Sequence, residues 1–221
     1  MHGLWKKLVL KSLPLYDVFE PAAHAVELRV WALRGRPAPP PPAFKQRTVA
    51  GYARLFSLTT LVETGTFLGD MARAGGKTFR RVISIELDED LCEKARRRLA
   101  RFPNITVLRG NSGELLPGLL STRRDSCLFW LDAHYSGRLT ARGGRDTPIV
   151  RELGAVLAHP GPNHVVLIDD ARCFTGEGDY PDLETLKRFV RGLRPDWGFE
   201  VRDDIIRCHG GRPQAGGGRL S

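Results

Sequence analysis

From Phe44 onward, short apolar runs alternate with longer stretches whose apolar residues recur at helical spacing. The pattern predicts a helix over 45–56, a strand over 60–65 (TLVETG) and a helix over 69–77 stopped by Gly75-Gly76. A strand over 81–86 (RVISIE) and a helix over 89–101 follow, closed by Pro103-Asn104. Next come a strand at 105–109, a helix at 112–120, a strand at 127–132 (CLFWLD) and a helix at 148–158. Strand 164–169 (HVVLID), a helix at 182–193 and two short strands at 198–202 and 204–208 complete the series. The last two flank Asp203-Asp204 and read as an antiparallel pair. Strands that are almost continuous apolar runs, each followed by a helix, imply a parallel sheet covered on both faces.

Three segments fall outside this alternation. Residues 1–34 mix Leu4, Leu8, Leu15, Val18, Phe19, Val26, Trp31 and Leu33 with Lys and Arg, and Pro14 and Pro21 are expected to break them into short helical pieces. They read as an appendage packing on the main domain or on a second copy in a homo-oligomer. Trp5, Lys6, Lys7 and Lys11 also suit a peripheral, in-plane membrane contact. Residues 35–43 (GRPAPPPPA) form a stiff linker, so that 1–43 is an extension, 44–208 the domain and 209–221 a disordered tail.

Composition narrows the class. The 221 residues suffice for one α/β domain with a sizeable core, and 42% hydrophobic with 27% charged residues excludes wholesale disorder. The net charge of +9 invites a nucleic-acid reading. However, 27 of the 34 basic residues are Arg, beside 24 Gly and 15 Pro, a usage that coding bias alone produces. Arg96, Arg97, Arg98 and Arg101 follow Asp88, Glu89, Asp90 and Glu93 and read as a solvated helix face. Cys92, Cys127, Cys173 and Cys208 form no CxxC pair, and the first two and the last sit in apolar segments as core thiols. A reduced, cytoplasmic protein without a signal peptide or transmembrane helix is expected.

Ligands of such a sheet bind outside the carboxyl ends of its strands. The polar residues expected there are Glu63, Glu86, Asn111, Asp132, His134, Asp169 and Asp170. The turn Glu63-Thr64-Gly65-Thr66-Phe67-Leu68-Gly69-Asp70 would let a ligand approach the backbone at Gly65 and a helix pack closely at Gly69. It lacks the GxGxxG of a nicotinamide site. Glu86, 23 residues after Glu63, offers two acceptor oxygens to a ribose diol, or caps its strand in solvent. Asn111 or Ser112 would cap the helix that starts there. Adjacent carboxylates at a buried strand end repel one another unless a cation compensates them. Asp169-Asp170 with Asp132 therefore suggests a hard divalent ion such as Mg²⁺, with His134 beside it to take a proton. The alternative assigns the aspartates to caps and an ion pair with Arg172, and His134 to a loop hydrogen bond.

On these residues the chain resembles class I S-adenosylmethionine (SAM) methyltransferases. The turn matches their E/DxGxxxG, and the strand-end aspartates resemble metal-dependent O-methyltransferases acting on macrolide sugars or catechols. Similar also are uncharacterised bacterial methyltransferase-like proteins carrying LDAHYSG and IDDAR. The resemblance spans 45–208 and implies a Rossmann-like doubly wound, mostly parallel sheet of order 3-2-1-4-5-7-6. It implies SAM held by Glu63, Thr64, Gly65, Thr66, Gly69, Glu86, Asn111, Ser112 and Asp132. It further implies a divalent cation on Asp132, Asp169 and Asp170, with His134 and Asp132 catalytic. The expected reaction is O-methylation of a small-molecule hydroxyl, on an acceptor that is anionic or sugar-containing.

Arg138, Arg142 and Arg145, in the loop after the 127–132 strand, would hold such an anion, or are simply solvated. Strand four ends LDAH in place of the Asn/Asp-Pro-Pro-Tyr of amino-methylating nucleic-acid enzymes. No GxxxxGK[ST] or GxSxG occurs, which removes the common NTPase and α/β-hydrolase readings. The remaining alternatives are a nucleic-acid methyltransferase and a non-catalytic SAM-fold module working through residues 1–34.

Overall fold

A computed structural model describes residues 16–132, 148–160 and 163–211, with side chains from Phe19 onward. His134 and Arg138, Arg142 and Arg145 lie outside the described residues. Seven strands form one sheet: β1 (Thr60–Thr64), β2 (Arg81–Glu86), β3 (Ile105–Arg109), β4 (Cys127–Leu131), β5 (Val165–Ile168), β6 (Gly198–Arg202) and β7 (Ile205–His209). Their order is β3-β2-β1-β4-β5-β7-β6, as the resemblance implied. The first five are parallel, whereas β7 runs antiparallel between β5 and β6.

The helices are α1 (Tyr16–Leu33), α2 (Pro42–Leu55), α3 (Asp70–Gly76), α4 (Glu89–Leu99), α5 (Ser112–Ser121), α6 (Pro148–Ala158) and α7 (Leu183–Leu193). Helix starts follow their caps: Asp88 accepts from the N–H of Leu91, Asn111 from that of Gly113 and Asp182 from that of Thr185. Side chains along the central strands alternate between two cores. Cys127, Phe129 and Leu131 of β4 pack with Leu116, Leu153 and Val190 of α5, α6 and α7. Leu128 and Trp130 pack instead with Val49, Ala72 and Leu99 of α2, α3 and α4. The central strands are therefore buried on both faces, while β6 at the edge is largely exposed.

The N-terminal segment departs from expectation. Pro21 does not break it, and one helix runs from Tyr16 to Leu33. A proline inside a helix removes a backbone bond, and here tertiary contacts hold the helix around it. Glu20, buried next to it, pairs with the buried Arg73 of α3 and with Lys77 at 3.1 Å. Trp31 packs on Phe44 and donates its indole N–H to the carbonyl of Pro37 at 2.8 Å. Among the described residues no helix is long and apolar enough to cross a membrane.

Candidate active site at the carboxyl strand ends

The turn after β1 carries the first half of the site. Gly65 has φ +82° and Gly69 φ +76°, in the left-handed region where a Cβ is strained. A Cβ on Gly69 would stand 2.8 Å from Leu99 Cδ1, so its absence lets α4 close on the turn. Both carboxylate oxygens of Glu86, at the end of β2, accept backbone N–H groups, from Phe67 at 2.7 Å and Asp88 at 3.0 Å. Each oxygen keeps further acceptor capacity. Phe67 and Leu87, both 40% exposed, stand in sequence beside these contacts as large apolar groups open to solvent.

Glu63 is buried and accepts from Ser84 Oγ at 2.5 Å; Ser84 in turn lies 2.6 Å from Thr66 Oγ1. Burial pushes the Glu63 pKa up to about 8, against the Ser84 bond, with the charges of Asp132, Asp70 and Glu86 adding to the rise. Across the sheet, Ser112 Oγ donates to Glu152 of α6, a buried carboxyl pushed up to about 7 by burial. Thr64 Oγ1 is buried without a hydrogen bond of regular geometry, although it lies close enough to lower the Glu152 pKa. Asn111 caps α5 through Gly113 at 3.0 Å. Asn111 is thus the cap, and Ser112, the other residue the sequence offered for that role, bonds Glu152 instead.

The second half of the site is the acidic cluster. Ligand oxygens of Asp132, Asp169 and Asp170 lie within 4.8 Å of one another, as the spacing of two strand ends had suggested. Asp170 has φ +55°, a non-glycine residue in the left-handed region. The turn after it is held by Asp204, whose carbonyl accepts from the N–H of Ala171 and whose carboxylate accepts from the N–H of Arg172. Asp169 Oδ1 accepts the Asp170 N–H at 2.9 Å, and Arg172 pairs with Asp170 at 2.7 Å.

Sequence reasoning missed the group that faces this cluster. Lys45 Nζ, on the first turn of α2, lies 2.5 Å from Asp169 Oδ2 and 3.5 Å from Asp170 Oδ1. Burial by itself would lower the Lys45 pKa, but Asp169, Asp170 and Asp132 together raise it above the ordinary value. Burial likewise lifts Asp169, with Lys45 opposing. A signal was present in the sequence. Lysine in the first turn of a helix opposes the helix dipole, and no acidic residue of that turn compensates it.

Three carboxylates are the donor set a hard divalent ion takes. Here, however, Lys45 and Arg172 already pair with Asp169 and Asp170. An ion within ligand distance of Asp169 Oδ2 would meet the Lys45 ammonium at the same atom. The arrangement as it stands does not fit a resident metal.

No family model and no curated protein sequence matches the chain. Solved structures match its fold. The O-methyltransferase TomG from Streptomyces achromogenes, solved with SAM, aligns at TM-score 0.57 with 18% identity over 86% of this chain and 90% of that one. An O-methyltransferase from Bacillus cereus, solved with its demethylated product SAH, aligns at 0.58 with 15% identity over 88% and 94%. A protein described as a candidate rRNA methylase from Clostridium thermocellum aligns at 0.54 with 11% identity over 74% and 95%. These likenesses establish the class I methyltransferase fold.

Proposed function

We propose that this chain, which has the class I methyltransferase fold, transfers the methyl group of SAM to a hydroxyl oxygen of a small molecule. The observation that carries the reading is the meeting of two features at one strand-end ledge: the Gly65 turn lies against Asp132, which belongs to the acidic cluster with Asp169 and Asp170. In the first feature Glu86 would receive the ribose hydroxyls. The apolar faces of Phe67 and Leu87 suit the adenine, and Glu63 attracts the cofactor ammonium. The sulfonium and ammonium of SAM are cationic, which Asp132 favours electrostatically, while Glu63, largely neutral in the free protein at pH 7, ionises as the ammonium docks.

In the second feature the acceptor hydroxyl would lie beside Asp132. Its oxygen attacks the methyl carbon in line, the carbon–sulfur bond breaks and the sulfonium becomes a neutral thioether. The hydroxyl proton passes to a base, for which His134 and Asp132 are the candidates. Alignment of the two reactants supplies most of the acceleration. Nucleic acid is a weaker substrate class, because much of the basic surface is already matched: Arg96 pairs with Glu93, Arg98 with Asp70, Arg109 with Glu89 and Arg172 with Asp204.

Calorimetry with SAM and SAH tests the reading. Both are expected to bind, and Glu86→Ala is expected to weaken each by about tenfold or more, the order of two lost charge-assisted hydrogen bonds. Failure of both ligands to bind the wild-type chain would overturn it.

A further inference from the structure

We propose that the Lys45 ammonium is the resident cation of the Asp132, Asp169 and Asp170 cluster, standing where a divalent metal would bind, so that a divalent ion enters only by expelling it. The distances carry the claim. Hard divalent ions bind carboxylate oxygens at roughly 2.0–2.6 Å. Lys45 Nζ is already 2.5 Å from Asp169 Oδ2 and 3.5 Å from Asp170 Oδ1. An ammonium and a metal ion cannot share one oxygen at those separations without strong mutual repulsion.

Two oxygens of the Asp169-Asp170 pair carry other donors as well. Asp169 Oδ1 accepts the backbone N–H of Asp170, and Asp170 Oδ1 takes Arg172 as well as Lys45. Magnesium demands near-octahedral geometry with several open positions. With the ammonium on Asp169 Oδ2 and Asp170 Oδ1, two of the oxygens a metal would use already face a cation.

The chain places Lys45 there at a cost. It sits at the dipole-unfavourable end of α2, and its side chain is only 17% exposed. Burying an ammonium is unfavourable unless carboxylates offset it, and Asp169 and Asp170 provide that offset. Helix α2 starts immediately after Pro41, with proline again at its first position, Pro42, whose fixed backbone angle pre-sets the start of the helix. Helix α2, at the start of the domain, thereby delivers a cation to the strand ends of the sheet. Two of the three ammonium donors are used by the aspartates, which leaves the third for an acceptor oxygen. That last role rests on the methyl-transfer reading; the occupancy of the cluster does not.

The test measures divalent binding directly on the full chain near neutral pH. Manganese is titrated against protein with free Mn²⁺ read by electron paramagnetic resonance, and Mg²⁺ by calorimetry. The wild type is expected to leave Mn²⁺ free up to about millimolar concentration, while Lys45→Met binds one ion at least about tenfold more tightly. Adding Asp169→Asn to Lys45→Met is expected to abolish the gain. Lys45→Gln keeps a neutral donor to Asp169 and is read in the same way, with thermal unfolding showing which variants fold. One tightly bound ion in the wild type, or no gain in a folded Lys45 variant, overturns the proposal. SAM calorimetry on the same samples separates the two readings. Bound SAM with a tight wild-type metal sinks the lysine inference alone, and a Lys45→Met gain without SAM binding sinks the methyltransferase reading alone.

Discussion

Gly65 and Asp132 meet so closely at the ends of β1 and β4 that a Cβ on Gly65 would stand 3.1 Å from Asp132 Cβ. The absent side chain lets the Gly65 turn and the acidic cluster share one ledge. A Cβ there would press on Asp132, which would have to give by a few tenths of an ångström.

Gly65→Ala is therefore expected to act on both stability and binding. Its φ of +82° costs a non-glycine residue about 1–2 kcal/mol, before any displacement of Asp132. Urea unfolding should show that loss, and calorimetry should show SAM binding weakened by about tenfold or more. Unchanged SAM affinity in the variant would show that the turn is not the cofactor's seat.

Proton release should accompany SAM binding. With a pKa near 8, Glu63 is mostly protonated at neutral pH in the free protein. A cofactor ammonium favours the carboxylate and lowers that pKa, so binding expels a proton below about pH 8 and SAM affinity rises with pH up to that value. Calorimetry in buffers of differing ionisation enthalpy should find close to one proton released near pH 7, and Glu63→Gln should remove it. No release by the wild type would contradict the assignment of Glu63.

A histidine pair at the opposite end of the sheet sets a separate acid limit. His164 Nδ1 accepts the Cys127 N–H at 3.0 Å, which leaves its Nε2 to donate to His159 Nδ1 at 2.8 Å. Burial pushes the His164 pKa down to about 4, with His159 and Arg194 contributing. Between pH 6.5 and 4 the unfolded chain takes up a proton there that the folded chain refuses. Stability from this group is complete above 6.5 and falls by up to about 3 kcal/mol as pH drops to 4. Glu63 and Glu152 have raised pKa values and act oppositely, losing stability as pH rises from about 4.5 through 7 to 8. Asp169, pushed up to about 6 by burial, opposes the histidine in this same window, so denaturant unfolding should expose the histidine slope in a Glu63→Gln/Glu152→Gln/Asp169→Asn background. A flat profile from pH 6.5 to 4.5 would refute it.

The strands were legible because each central one is a run of apolar residues bounded by turn chemistry, and burial on both faces leaves little choice of element. Strand-end chemistry was legible for the same reason. Once Leu131 and Ile168 are placed at strand ends, Asp132 and Asp169 must emerge at the carboxyl edge. Pro21 shows where local propensity misled, since Glu20 gains a buried partner in Arg73 that no window around residue 21 contains.

By itself, then, the sequence determined the α/β alternation, a helix cap at Asn111 or its neighbour Ser112, and which carboxylates gather where the strands end. Periodicity and capping are local, and the chain carries them without knowing its fold. Only the tertiary structure decided what those carboxylates face. Lys45 lies 124 residues from Asp169, and Ser112 meets Glu152 across two helices. The first pair is made by packing α2 against one face of the sheet, the second by packing α5 beside α6 on the other. Of the two charges that compensate the acidic cluster, Arg172 is local to it and legible in the sequence, whereas Lys45 comes from a distant helix, and only the folded chain brings it there.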